Sequence, residues 1–239
     1  MLLAKVSVSL WNIPVRFGRT RLKTSPSSLL CTARTLDSSF PHSSRPLKST
    51  AEYSIGTAHK ISSEWLCQLG VQDPDDSARH MISHATRIGY KFSDFTRNRD
   101  KLMTKEEIEN YLIMCTKRAE HMPVQYIVGN WDFYGLTLQC KPPILIPRPE
   151  TEELVENILQ SGLLQKLKAP RILDIGAGTG AIGLALLSHL PGASCQAIDL
   201  NIDAVNLANE NARVVLGVDQ RRYYCTHSDF RSYVAEYVR

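Results

Sequence analysis

Apolar residues recur every three or four positions through Ile108, Tyr111, Leu112, Cys115, Ala119 and Met122, a period that predicts an amphipathic helix. Thr104-Lys-Glu-Glu107 stands directly before it with the spacing of a capping box. The threonine hydroxyl can accept the Glu107 amide while the glutamate reaches back to the cap. Asp73-Pro-Asp-Asp76 predicts the start of a second helix, with acids at its positive end and Ala78, Met81, Ile82, Ala85 and Ile88 on one face. A shorter helix is expected around residues 60–69. At residue 123 the pattern changes. Tyr126-Ile-Val128 and Leu136-Thr-Leu-Gln-Cys140 read as strands, joined through Gly129-Asn130 and Asp132-Phe-Tyr-Gly135. Prolines at 142, 143, 147 and 149 exclude a helix or central strand there, so a β-hairpin and a stiff connector are expected over 123–149. Beyond it, a helix near 151–160 precedes strands at 171–175, 195–200 and around 220–225, separated by helices from Ala181 and over 203–212. Strands alternating with helices predict a parallel α/β sheet.

Charge divides the 239 residues unevenly. Residues 1–50 hold eight Lys or Arg and one acid, Asp37, a net of +7; residues 51–239 hold 20 basic and 23 acidic residues, a net of −3. The body therefore offers no charge-based reason for direct nucleic-acid binding. The first fifty residues, rich in Ser and Thr with dispersed arginines, have the composition of a mitochondrial transit peptide without fixed structure, the alternative being a plain basic tail. No apolar run approaches the length of a membrane span, and no membrane partner is expected. Six cysteines, none within 20 residues of another, form neither a metal pair nor a disulfide framework, and reduced, buried thiols are expected. His80, His84 and His121 lack a second ligand at metal spacing and are read as surface or packing residues; no metal site is expected.

The chemistry concentrates in Arg171-Ile-Leu-Asp-Ile175 followed by Gly176-Ala177-Gly178-Thr179-Gly180 and a helix. A strand, a glycine turn and a helix N-terminus let the backbone approach a ligand closely. Asp199, at the tip of the next strand, is placed to accept hydrogen bonds from both hydroxyls of a ribose. The same parts serve dinucleotides and S-adenosylmethionine. Asp174 decides between them: a buried acid two residues before the first glycine needs a cationic partner, which a methionyl ammonium supplies and a pyrophosphate does not. The Gly-x-Gly-x-Gly spacing also departs from the dinucleotide pattern. After the third strand, Asp229 could accept an adenine amine, or cap the next segment, and Phe230 could stack on the ring. The cofactor-binding candidates are thus Asp174, Gly176, Ala177, Gly178, Thr179, Gly180, Asp199, Asp229 and Phe230.

Pro123-Val-Gln-Tyr-Ile-Val-Gly129, Trp131-Asp-Phe-Tyr-Gly135, Ile146-Pro-Arg-Pro-Glu-Thr-Glu-Glu-Leu-Val155 and Asp174-Ile-Gly-Ala-Gly-Thr-Gly-Ala-Ile182 resemble the HemK/PrmC protein-glutamine methyltransferases over most of 58–239. The resemblance implies a Rossmann-like, class I S-adenosylmethionine-dependent methyltransferase fold behind an N-terminal helical domain. It divides the chain into a leader (1–50), a helical release-factor-binding domain (51–122), the hairpin and connector (123–149) and a partial methyltransferase domain (150–239). It further implies methylation of the glutamine side-chain amide in the Gly-Gly-Gln loop of a peptide chain release factor, and, with the basic leader, a mitochondrial matrix location. The family's reactive Asn-Pro-Pro-Tyr does not occur in this sequence, and the resemblance places it beyond Arg239. No catalytic residue is therefore assigned, and the C-terminal half of the domain is expected to be missing. A non-catalytic release-factor-binding isoform and, more weakly, a nucleic-acid amino-methyltransferase are the alternatives. Glu150, Glu152 and Glu153 are expected to serve the dipole of the helix that they open.

Overall fold

The computed structural model describes residues 4–6, 45–49 and 51–237. They form two compact units, one ending at Val128 and the other holding residues 4–6 and those from Gly129 onward.

The first unit is helical. Helix α1 (Ile55–Gln68) starts at Ser54, whose hydroxyl accepts the Thr57 amide. Helix α2 (Pro74–Thr86) follows a proline entry with Asp75 and Asp76 in its first turn. A short α3 (Phe92–Asn98) leads to α4 (Lys105–Ala119), whose two-way capping box joins Thr104 and Glu107 as the spacing predicts. A box of this kind contributes about 1 kcal/mol. The apolar stripes converge, and Ile55, Leu66, Met81, Ile82, Tyr111 and Leu112 are buried in one core. Arg118 ties the end of α4 back to α2. Its guanidinium donates to Ser77 Oγ at 3.0 Å, to the Gln72 carbonyl at 2.8 Å and to the Met122 carbonyl at 3.2 Å.

Several expectations change here. Helix α1 is longer than the short segment expected around 60–69, and α3, with no buried residue of its own, left no apolar stripe to read. Residues 126–128 are not a strand. The Tyr126 and Ile127 amides return to the Pro123 carbonyl, and α5 (Val124–Val128) packs Val124 and Ile127 on the helical core. The helical unit therefore runs on to Val128 rather than stopping at 122. Leu47, inside the stretch assigned to the leader, is buried in that same core. Cys67 is disulfide-bonded, against the expectation of six reduced thiols; Cys115, Cys140, Cys195 and Cys225 are free and buried.

The second unit is α/β. Strands β2 (Asn130–Phe133) and β3 (Leu136–Gln139) form an antiparallel hairpin with Phe133 paired to Leu136. Helix α6 (Pro149–Gln160) carries Glu150 and Glu152 in its first turn, in keeping with the dipole role expected of them. Then come β4 (Arg171–Ile175), α7 (Ala181–His189), β5 (Ser194–Asp199), α8 (Ile202–Leu216), β6 (Tyr223–His227) and α9 (Phe230–Tyr237). Three residues of the expected structureless leader, β1 (Ala4–Val6), pair with β4. The sheet order among the described residues is β1-β4-β5-β6, parallel throughout. Residues 7–44 of the leader lie outside the described residues. Helices on a parallel sheet bury its strands, and Ile172 and Asp174 of β4 and Cys195, Ala197 and Ile198 of β5 are buried. Phe133 and Leu138 of the hairpin share a core with Val155 of α6, Leu184 and Leu187 of α7 and Ala208 of α8. Among the described residues no helix is long and apolar enough to cross a membrane.

Helix α7 lies close on the sheet because Gly183 has no side chain. A methyl group there would stand 2.9 Å from Cys195 Sγ, 2.9 Å from the Tyr223 ring and 3.2 Å from an Asp174 carboxylate oxygen. All three neighbours are buried, so none can move aside into solvent. Gly183→Ala should therefore lower stability by about 1–3 kcal/mol despite the better helix propensity of alanine. Chemical denaturation of the two proteins measures this, and an equal or more stable variant would show that α7 can slide outward freely.

Candidate functional site

The glycine turn follows β4 and precedes α7, and its shape comes from three residues at positive φ. Gly176 has φ +81°, Gly178 +56° and Gly180 +81°. These conformations favour glycine, since a Cβ would meet the neighbouring carbonyl. At Gly176 and Gly178 nothing lies within 4 Å of where a side chain would stand, so the turn presents open space on that side. Beneath it the packing is tight, and a methyl group on Gly180 would come within 2.9 Å of the Tyr223 hydroxyl.

Asp199 reaches this turn from the tip of β5. One carboxylate oxygen accepts the Gly178 amide at 2.9 Å and the other the Asn201 amide at 2.9 Å. The Gly176 and Ala177 amides meanwhile donate to the Ile198 carbonyl, which fastens the turn to the end of β5. Ala177 and Thr179 are buried in the turn. The predicted residues from Gly176 to Gly180 and Asp199 thus gather at one place.

Asp174 lies below them in the strand, 8% exposed, and accepts the Gly183 amide at 3.2 Å. Burial pushes its carboxyl from the usual 3.8 up to about 6; the Gly183 amide opposes this, and the charge of Asp199 adds to it. The Tyr223 hydroxyl, buried nearby, has no hydrogen-bond partner among the described residues. This end of the sheet is therefore a desolvated acidic spot in want of a cation or a proton.

The Ser228 amide donates to the Asp199 carbonyl at 3.1 Å, which brings the end of β6 beside the end of β5. Asp229, one residue on, directs its carboxylate to the start of α9. It accepts the Arg231 and Ser232 amides at 2.8 and 3.0 Å and the Ser232 hydroxyl at 2.5 Å. Those bonds hold its carboxyl below the usual range. The capping alternative is the arrangement present, and a ligand amine would have to share an acceptor already in use. Phe230 is the first residue of α9 and half-buried.

Asn211 was not among the predicted residues, and it touches the turn directly. It is 1% exposed on α8 and donates to the Thr179 carbonyl at 2.9 Å. Its signal in the sequence is an amide on the same helical stripe as Ala204, Leu207 and Ala208, where an apolar residue is due. Among the described residues no group of three or more His, Cys, Asp or Glu is placed to hold a metal ion.

Two family models match the chain: the PrmC N-terminal domain over residues 58–129 and the Methyltransferase small domain over residues 151–236. The junction of the two falls in the hairpin and connector. The chain is 35% identical over 190 residues to the MTRF1L release factor glutamine methyltransferase of Homo sapiens, covering 74% of this chain and 54% of that protein. It is 36% identical over 151 residues to the release factor glutamine methyltransferase of Fusobacterium nucleatum, covering 63% of this chain and 42% of that protein. With the protein of the same name from Streptococcus pneumoniae it shares 45% identity over 123 residues, 51% of this chain and 43% of that one. The chain spans about half the length of these curated relatives.

The raised carboxyl of Asp174 fixes the sign of a pH effect. A folded-state value above the unfolded one means that the folded protein binds this proton more tightly. Its contribution is fully present below pH 3.8 and is lost as pH rises through about 6. Asp174→Asn, which keeps an acceptor for the Gly183 amide, should match the parent near pH 4. At pH 7.5 it should exceed the parent by about 2–3 kcal/mol. Urea unfolding of both proteins across this range checks the prediction, and a constant difference would dismiss Asp174 as its source.

Proposed function

The chain belongs to the HemK/PrmC family, and on that footing we propose that it serves S-adenosylmethionine-dependent methylation of a glutamine side-chain amide in a translation release factor. The single observation that carries the cofactor half of this reading is the open glycine turn held by Asp199. The residues fit the group. Gly176 and Gly178 leave room for close approach of a ligand, and Asp199 sits where ribose hydroxyls would meet it. Asp174 offers the desolvated negative charge that a cationic amino-acid moiety requires. Bound there, the cofactor would supply an electrophilic methyl group on a sulfonium.

The work of the chain's own residues is to bind and orient. Asp199 would exchange its bond to the Gly178 amide, or share it, when it takes up ribose hydroxyls. A nearby ammonium group would favour the carboxylate form of Asp174 and bring its raised carboxyl down again. Ala177 and Thr179 shape the floor of the turn. Phe230 and Asp229 would border the adenine from the end of β6, Asp229 while still capping α9. The acceptor amide is a weak nucleophile, so its alignment is the costly part of the reaction. No residue described here is assigned to that task, which the family resemblance gives to an Asn-Pro-Pro-Tyr motif.

The substrate half rests on the helical unit, whose stretch 58–129 matches the PrmC N-terminal domain. We assign to it the grip on the release factor, with the glutamine of a Gly-Gly-Gln loop as the methyl acceptor. The basic, acid-poor stretch 1–50 supports a mitochondrial location, in the matrix.

Isothermal titration of the chain with S-adenosylhomocysteine should give saturable one-to-one binding. Asp199→Ala should weaken it at least tenfold, the loss of about two charge-assisted hydrogen bonds. An immobilised release factor should retain the chain, and an equal mass of duplex DNA should not. Binding of S-adenosylhomocysteine that is indifferent to Asp199→Ala would refute the cofactor assignment; retention by DNA alone would favour a nucleic-acid substrate.

A further inference from the structure

Asn211 is the buried polar group that the preceding reading leaves without a task. Its side chain is 1% exposed on the inner face of α8. Nδ2 donates to the Thr179 carbonyl at 2.9 Å and to the Gln139 carbonyl at 3.2 Å, while Oδ1 accepts the Gln139 amide at 2.8 Å. One side chain thus spans three separate pieces of chain: α8, the last residue of the hairpin and the glycine turn.

The bond to Thr179 matters because of where that carbonyl stands. It belongs to the peptide linking Thr179 to Gly180, in a turn where Gly178 and Gly180 both have positive φ. The other end of that peptide, the Gly180 amide, donates to the Ala177 carbonyl at 2.8 Å. The plane is therefore held at both ends, and Asn211 holds the carbonyl end. Asp199 in turn accepts the Gly178 amide. Between them, the carboxylate of Asp199 and the amide of Asn211 set two peptide planes of the turn.

The hairpin supplies the rigidity behind this grip. Asn211 completes both backbone groups of Gln139, and Lys141 forms an ion pair at 2.5 Å with Glu210, the residue before Asn211 on α8. At the far end of the hairpin, the Tyr134 hydroxyl donates to the Glu156 carboxylate of α6, and its ring meets His189 of α7 edge-on at 5.1 Å. The hairpin is thereby pinned to three helices of its unit, and the attachment through Asn211 extends into the glycine turn.

We propose that Asn211 is a positioning residue for the cofactor turn. It holds the Thr179–Gly180 peptide from α8, so that the turn is already in its ligand-accepting shape before a ligand arrives. The inference rests on the reading of that turn as the S-adenosylmethionine site. A turn ordered in advance binds more tightly because less conformational freedom is lost on binding. A buried amide with three bonds is also a structural element, and the two roles separate when affinity is measured against stability.

The test uses the full chain with three substitutions and S-adenosylhomocysteine as the probe, reading affinity by calorimetry and unfolding by urea. Asn211→Leu fills the volume without polar atoms. Asn211→Asp keeps the acceptor for the Gln139 amide but turns a carboxylate oxygen toward two carbonyls. Tyr134→Phe removes the hairpin's hydroxyl bond to Glu156 of α6 and leaves the turn alone. Both Asn211 variants should bind the probe at least tenfold more weakly than the parent. Tyr134→Phe should lower the unfolding midpoint while staying within twofold of the parent's affinity. If Asn211→Leu fails to fold, the aspartate variant alone decides. Its affinity deficit relative to the parent should shrink as pH falls from 7.5 to 5, because the protonated carboxyl can again donate to the Thr179 carbonyl. Asn211 variants that unfold more readily yet bind like the parent would overturn the positioning role and leave the cofactor reading intact. A parent chain that folds but takes up no probe would overturn the cofactor reading, and this inference with it.

Discussion

A carboxylate shut away from water, that of Asp174, accepts the amide of Gly183 from the first turn of the helix above it. The rest of the α/β unit depends on this contact. It requires α7 to lie so close that only glycine fits at 183, and that closeness brings Cys195 and Tyr223 of the neighbouring strands against the same point. Burying an acid is unfavourable unless the fold or a ligand compensates. Here the compensation among the described residues is the Gly183 amide, which leaves the carboxyl raised to about 6. The strain of that arrangement is chemical rather than steric, and it sits directly under the turn that a ligand would use.

Above the buried acid, the glycine turn is held by parts that do not adjoin it in sequence. Asp199 comes from the next strand, the Ile198 carbonyl from the residue before it, and Asn211 from the helix that follows. Each contributes a hydrogen bond to a backbone group that would otherwise be left unpaired in a partly buried place. The result is a loop whose outer side is open and whose inner side is engaged. Such asymmetry suits a binding turn, since a ligand meets preset amides without the cost of ordering them.

The hairpin changes meaning in this light. By length and proline content it looks like a connector between two domains. Its Phe133 and Leu138 are instead buried in the core of the α/β unit, and its last residue is tied through Asn211 to the glycine turn. The family matches fall on either side of it, at 58–129 and 151–236. It is part of the wall of the α/β unit.

Much of this was legible in the chain itself. The glycine turn, the strand before it, the acid at the tip of β5 and the capping box at Thr104 are local patterns: their spacing alone dictates backbone conformation or a hydrogen bond a few residues away. What only the tertiary structure decided are the pairings across long stretches of chain. Tyr126-Ile-Val128 has the composition of a strand, but helical neighbours offered its apolar residues a core and its amides the Pro123 carbonyl, so it coils. Asp229 faces a helix start that its own sequence neighbours create, and it turns there. Asn211 is the clearest case. Its sequence marks it only as a polar residue on an apolar stripe, and its partners, Thr179 and Gln139, stand 32 and 72 residues away. Local spacing can specify which backbone groups of a turn will be exposed; which distant side chain satisfies them depends on how the elements pack.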